Sequence, residues 1–316
     1  MTGSNHLHIG LVNNMPDGAL KATEQQFLHL LRAASRGIEV KLSLFALQDV
    51  PRTDTGREHI RRNYASLDQL WETRLDGLII TGAEPRAANL SEEPYWQSLT
   101  KVFDWAERNV SSTICSCLAA HAAVQHFDGI SRRRLDTKCF GLFECAKVSD
   151  HALTAGVQSP LVAPHSRWND LPEASLASAG YQILTRTASG SVDAFVKQRK
   201  SLFVFFQGHP EYEADTLLLE YRRDLGRYLR GERNDRPLLP QSYLDPQCAD
   251  ALTAFHNEDL AQFPWAAVAD RLESTWRPSA SGIYANWLAF QLAKKNALPR
   301  FNVRRHSALS RPSASL

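Results

Sequence analysis

The chain has 316 residues, 43% of them hydrophobic, which is enough to bury a full core in one large or two modest domains. Its 36 basic and 34 acidic residues are interspersed and leave a net charge of +2, excluding the one-signed field of a nucleic-acid or anionic-membrane binder. The start "MTGSNHLHIGLVNNMP" lacks the features of a signal peptide and no run approaches about 18 apolar residues, so a cytoplasmic location is expected; five cysteines, an odd count, fit reduced thiols better than a disulfide framework.

In chain order, "HLHIGLV" reads as a strand, and "TEQQFLHLLRAA" from Thr23 as an amphipathic helix with Phe27, Leu30 and Leu31 on its apolar face. "IEVKLSLFAL" alternates like a strand. "LDGLIITGAEP" is a buried strand ending at Gly82, and "YWQSLTKVFDWAERN" the next helix. "STICS" is a strand that breaks into an alanine-rich helix. Strand and helix alternate through about the first 130 residues, the signature of a parallel sheet covered on both faces, with chemistry expected at the strands' carboxyl ends.

Beyond Phe127 the pieces become β-like: "CFGLFECAKV", "YQILTRT", "DAFVKQ" and "SLFVFFQGH", the last two joined by the turn "RK". They are read as the second half of the same sheet, with antiparallel additions. "ADTLLLEYRRDLGRYLRGE" is a long helix, "RPLLPQSYLDPQ" an exposed connection, and "GIYANWLAFQLAKK" a terminal helix packing back by Trp287, Leu288 and Phe290. The basic clusters "RRRL" and "YRRDLGRYLRGER" read as solvated faces or small-anion sites. Residues 1–300 are read as one domain and 301–316, polar and Ser-rich, as a disordered tail.

The break inside "STICSCLAAHAAV" carries chemistry. A strand that turns sharply into a helix lifts the turn residue above the sheet edge, and Ala119, Ala120, Ala122 and Ala123 let the backbone turn tightly. Cys117 falls at the turn, where the helix dipole favours a thiolate; Cys115 is still in the strand and is read as packing. Cys115, Cys117 and His121 lack the paired spacing of zinc sites, so no metal is expected. In "SLFVFFQGHPEY" an apolar strand ends at Gly208 with His209 at its mouth and Glu211 two residues on. His209 is therefore the candidate base for Cys117, and Glu211 the group that orients it.

These residues resemble a known family. "NNMPDGALKATEQQFLHLL", "DGLIITGAEP", "YWQSL", "STICSCLAAHAAV", "KCFGLF", "APHSRWND" and "GHPEYEADTLLLEYRRDL" look like the successive motifs of homoserine O-acyltransferases of the homoserine O-succinyltransferase type, from about Leu11 to Asp224. The resemblance implies an α/β, class I glutamine amidotransferase-like fold, with a mostly parallel central sheet flanked by helices, and a homodimer. It also implies ping-pong acyl transfer: Cys117 takes the acyl group from an acyl-CoA co-substrate, and His209, supported by Glu211, activates the acceptor hydroxyl. No bound cofactor is implied. Lys138, Ser166 and Arg223 match the family's substrate-binding positions. Arg86 occupies the position that tunes acyl choice, usually glycine with succinyl donors and glutamate with acetyl donors; an arginine suits a succinyl carboxylate.

The chain departs from the family pattern at Lys21, whose surrounding segment is two residues longer, at Leu118 in place of tryptophan, and at His121 in place of glutamine. The expected reaction is succinyl transfer to homoserine. Three alternatives stay open: acylation of serine or another amino alcohol, an amidotransferase-like hydrolase on the same scaffold, and a thiol sensor with no use for His209 or Glu211.

Overall fold

Apolar runs of β-branched residues form strands here because they are covered on both sides, and amphipathic segments between them form the covers. The computed structural model describes residues 4–255 and 259–297, and the tail expected over 301–316 lies outside them. In chain order the elements are β1 (His6–Val12), α1 (Asp17–Ala34), β2 (Glu39–Phe45), α2 (Asp54–Asn63), α3 (Leu67–Glu72), β3 (Gly77–Thr81), α4 (Trp96–Asn109), β4 (Ser112–Ser116) and α5 (Leu118–Asp128). There follow β5 (Arg133–Lys147), β6 (Leu161–Asp170), α6 (Glu173–Ser178), β7 (Gln182–Thr187), β8 (Val192–Gln198), β9 (Leu202–Phe206), α7 (Thr216–Leu229), α8 (Pro246–Thr253), α9 (Trp265–Ala269) and α10 (Arg277–Ala297).

Among the described residues, nine strands form one sheet in the order β2-β1-β3-β4-β9-β8-β7-β5-β6. The five from β2 to β9 are parallel, and β8, β7, β5 and β6 extend the sheet antiparallel. Register is level at the carboxyl ends: Thr81 pairs with Ser116 and Ser116 with Phe206, so β3, β4 and β9 finish together. Asn14 ties the end of β1 to the same line, its side-chain amide donating to the Thr81 carbonyl at 3.1 Å.

Alternation divides the core. Ile9, Ile79, Ile114 and Val204 face one side with α1, α7 and α10, while Ile80, Cys115, Phe203 and Phe205 face the other with α4 and α5. The terminal helix α10 packs back by Trp287 and Leu288, both fully buried, with Phe290 partly covered. It is anchored to the start of β4, because Trp287 Nε1 donates to Ser112 Oγ at 3.0 Å and Gln291 Nε2 to the Ser112 carbonyl at 3.2 Å.

Four local features differ from the sequence reading. Helix α1 starts at Asp17 rather than Thr23, because the Asp17 carboxylate sits in its first turn and accepts Thr53 N–H and Oγ at 2.7 Å each. Helices α2 and α3 carry no apolar period, α2 burying only Gly56; α3 is instead started by a Ser66–Gln69 capping box. "APHSRWND" is a full strand, β6, and Ser166 lies within it opposite Phe140. The proline-rich connection is not simply exposed: Gln241 bridges Gly141, donating to the Phe140 carbonyl at 2.9 Å, and Tyr243 is buried. Gly141 has φ 138°, and a Cβ there would lie 2.3 Å from the Gln241 backbone.

The five cysteines are free, and no helix among the described residues is long and apolar enough to cross a membrane. Trp287→Ala should cost about 3–5 kcal/mol through lost burial and the Ser112 bond. Urea unfolding followed by circular dichroism checks this; a loss under about 1 kcal/mol would show that α10 does not brace the sheet.

Candidate active site

Cys117 follows the last residue of β4 and precedes the first of α5, with φ 51° and ψ −112°. A side-chain-bearing residue holds such a backbone at a cost of roughly 1–3 kcal/mol, and only where its surroundings over-determine it. Here Cys117 N–H donates to the Phe206 carbonyl of β9 at 2.7 Å, and the Cys117 carbonyl accepts from Ala120 N–H at 2.9 Å. Gly82, at the end of β3, lets α5 approach, since a Cβ there would stand 2.3 Å from Leu118 Cβ. The alanines of α5 are buried against Cys115, whose thiol is pushed up by burial alone.

His209 follows β9 by three residues and is buried. Its backbone N–H donates to the Pro164 carbonyl at 2.8 Å, and its ring stacks on Tyr212 at 4.2 Å and 16°. Nδ1 lies 2.9 Å from Glu211 Oε1, which leaves Nε2 for the sulfur. Burial pulls the imidazole pKa down, but negative charge on Cys117 and on Glu211 outweighs it and holds the value well above the ordinary histidine range. Glu211 Oε1 also accepts from Ser116 Oγ at 3.3 Å. Cys117, His209 and Glu211 are thus brought to one sheet edge.

Three of the other four expected residues, Lys138, Ser166 and Arg223, gather around two acids on α7. Ser166 Oγ donates to Glu220 Oε2, and Tyr212, the ring under His209, donates to Glu220 Oε1 at 2.5 Å. Lys138 Nζ is 3.1 Å from Asp224 and 3.7 Å from Glu220, and lies 4.0 Å above the Phe140 ring. Arg223 grips Asp224 Oδ1 through Nε at 3.0 Å and Nη2 at 2.9 Å. Burial pushes the Asp224 carboxyl up, and Lys138 and Arg223 more than reverse it, so it stays ionised. Glu220, Asp224 and Tyr212 were not singled out from sequence. The available signal was the spacing of "EYRRD", which puts positions 220, 223 and 224 on one face of a helix.

Arg86 is exposed on the loop after β3, held there by its backbone N–H, which donates to Glu93 Oε1 at 2.5 Å. Lys21 is exposed on α1. His121 is buried with Nε2 2.9 Å from Gln207 Oε1; burial first, then Arg167 and Arg132, depress its pKa to about 3, so it is neutral. With Cys115 facing the core and His121 bonded to Gln207, these two and Cys117 make no ligand set.

A second cysteine–histidine–acid group exists: ligand atoms of Cys145, His165 and Asp193 all lie within 4.8 Å of one another. All three are buried. Burial pushes the Cys145 thiol up, and Arg167 Nε donates to His165 Nδ1 at 3.3 Å, so a protonated thiol and an adjacent guanidinium oppose a cation there. Cys145 is within β5, on regular strand backbone with no approach for a substrate. The group lies beneath Gly208, whose added Cβ would come 2.7 Å from Asp193 Oδ1, and so forms a floor under His209.

Residues 3–298 match the family model for homoserine O-succinyltransferase. The chain is 50% identical over 290 residues to a homoserine O-succinyltransferase of Rhodopseudomonas palustris, covering 89% of this chain and 87% of the relative. It is 46% identical to one of Methylorubrum extorquens, over 90% and 86% of the two chains. Among solved structures, a glutamine amidotransferase of Thermotoga maritima matches with a TM-score of 0.50 at 11% identity, over 91% of this chain and 98% of that one. A glutamine amidotransferase of Methylobacillus flagellatus matches with a TM-score of 0.50 at 16% identity, over 91% and 95%. The chain belongs to the homoserine O-succinyltransferase family and carries it on a glutamine amidotransferase-like fold.

Proposed function

We propose that this protein transfers the succinyl group of succinyl-CoA to the hydroxyl of L-homoserine, a step of methionine biosynthesis, through a thioester on Cys117. The observation that carries the reading is the strained elbow at Cys117 with the His209–Glu211 pair behind it, in a chain of this family. The Cys117 thiolate attacks the thioester carbonyl, and CoA leaves as its thiol with the proton held on His209. Neutral His209 then takes the proton of the homoserine hydroxyl as that oxygen attacks the enzyme thioester, expelling the Cys117 thiolate. Leu118 N–H, at the first turn of α5 and outside the helical ladder, is suited to meet the oxyanion in both steps.

The acceptor is an α-amino acid, and the cluster on α7 suits a zwitterion: Glu220 and Asp224 for the ammonium, Lys138 and Arg223 for the carboxylate, Ser166 beside them. In this reading acyl-CoA is a co-substrate, and the enzyme works as a cytoplasmic homodimer. The amidotransferase alternative rests on fold likeness alone.

Intact-protein mass after brief mixing with succinyl-CoA should show a succinyl adduct on the wild type, discharged by homoserine. Cys117→Ala should show none, and Cys145→Ala should keep it; an adduct that follows Cys145 instead would overturn the assignment. His209→Asn should lower kcat/KM by about 10²–10⁴ with unchanged circular dichroism, and a rate within threefold of wild type would remove it as the base.

The raised His209 pKa gives a further test. A folded value above the unfolded one stabilises the protein fully below about pH 6.5, and that stabilisation fades as pH rises through the folded value. Imidazole titration by nitrogen-15 NMR should move downward in Cys117→Ala, and less in Glu211→Gln. Unmoved titrations would mean that neither charge reaches the ring.

A further inference from the structure

Three buried polar atoms on and beside the loop that follows β3 have no hydrogen-bond partner among the described residues: Arg132 Nη1, the Tyr95 hydroxyl and Glu93 Oε2. Glu93 and Tyr95 lie in the loop between β3 and α4, which begins at Gly82 against Leu118, and Arg132 meets that loop from the segment after α5. Glu93 Oε1 accepts the N–H groups of Arg86 at 2.5 Å and Ala87 at 2.6 Å, while Arg132 Nη2 donates to the carbonyls of Ala87 and Ala88 at 3.4 Å each. Arg132 Nη1 and Glu93 Oε2 are each bare, so they do not satisfy one another. Burial lowers the Arg132 pKa, against the charges of Tyr95, Glu93 and Cys117, which raise it.

A half-buried guanidinium with one nitrogen unused, beside a nucleophile, is a site that an anion completes. We infer that Arg132, with the Tyr95 hydroxyl, receives the free carboxylate at the far end of a dicarboxylic acyl chain whose near carbonyl is attacked by Cys117. This rests on the acyl-transfer reading above and names the residue that selects the donor. An acetyl chain ends in a methyl group and leaves both donors bare; a site built for a polar group rejects the analogue that lacks it far more strongly than an apolar pocket rejects an extra methylene. Glu93 keeps the loop closed through Oε1 and helps hold the guanidinium charged. Arg86 contributes its backbone N–H to that loop, but its side chain is exposed, whereas that of Arg132 is partly buried and feels the charge of Cys117.

Rapid-quench intact mass reads the rate of thioester formation on Cys117 with succinyl-CoA and with acetyl-CoA. Arg132→Gln should lower the succinyl-over-acetyl ratio of kcat/KM about a hundredfold, with Arg132→Lys recovering part of it. Tyr95→Phe should lower the ratio severalfold, and serves if Arg132→Gln does not fold. Arg86→Gln should move the ratio far less than Arg132→Gln. Equal losses with both donors would make Arg132 a structural or oxyanion residue and overturn the inference, as would an unchanged ratio. A wild type that takes an acyl group from neither donor would overturn the acyl-transfer reading itself, and this inference with it.

Discussion

A single short hydrogen bond, from Cys117 N–H to the Phe206 carbonyl, holds the active end together. It spans β4 and β9 just where both strands finish, and it keeps a residue with a side chain at φ 51°. Strain of this kind survives only in a rigid frame, and the level ends of β3, β4 and β9 are that frame. Gly82 from β3 admits the first residue of α5, and His209 emerges from β9 three residues later. If the three strands slipped by one residue, the thiol and the imidazole would no longer share an edge, because each slip inverts which face a side chain takes.

Two cysteine–histidine–acid groups share this fold, and residue type does not tell them apart. The ligand atoms of Cys145, His165 and Asp193 all lie within 4.8 Å of one another. Their thiol, however, sits on ordinary strand backbone in the core, where burial favours the protonated form. Cys117 is partly exposed on a strained turn beside an imidazole that carries positive charge. Backbone conformation and access separate the turn thiol from the packed one, and the inner group supports the outer one from below through Gly208.

The cluster on α7 is built from compensated charge. Lys138 and Arg223 are not bare cations waiting for a carboxylate, since Asp224 already holds both. Tyr212 links this network to the catalytic end, stacking on His209 with its ring and bonding Glu220 with its hydroxyl. A zwitterion can exchange partners within such a network without leaving a buried charge uncovered, which a single-signed pocket cannot do. Around Arg132 the opposite holds, and compensation is incomplete.

Much of the fold was legible because burial imposes period. "LIIT", "STICS" and "LFVFF" are buried on both faces and became β3, β4 and β9; the alanines after Cys117 became the buried face of α5. The elbow, His209 and Glu211 were legible too, since a strand end followed at once by a thiol or by His-Pro-Glu is a local pattern. Helices α2 and α3 were not, because they are held by caps and bury almost nothing. The sequence by itself thus determined the strands, the turn and which thiol, imidazole and carboxylate stand at the strand ends, all properties of neighbours along the chain. Tertiary structure alone decided that β9 lies beside β4, that Lys138, Ser166 and Arg223 converge on Glu220 and Asp224, and that Arg132 is left with a buried nitrogen that has no partner while Arg86 stays exposed. Those contacts join residues far apart in the chain, and they depend on strand order and on which polar atoms burial leaves without a partner, neither of which a local pattern encodes.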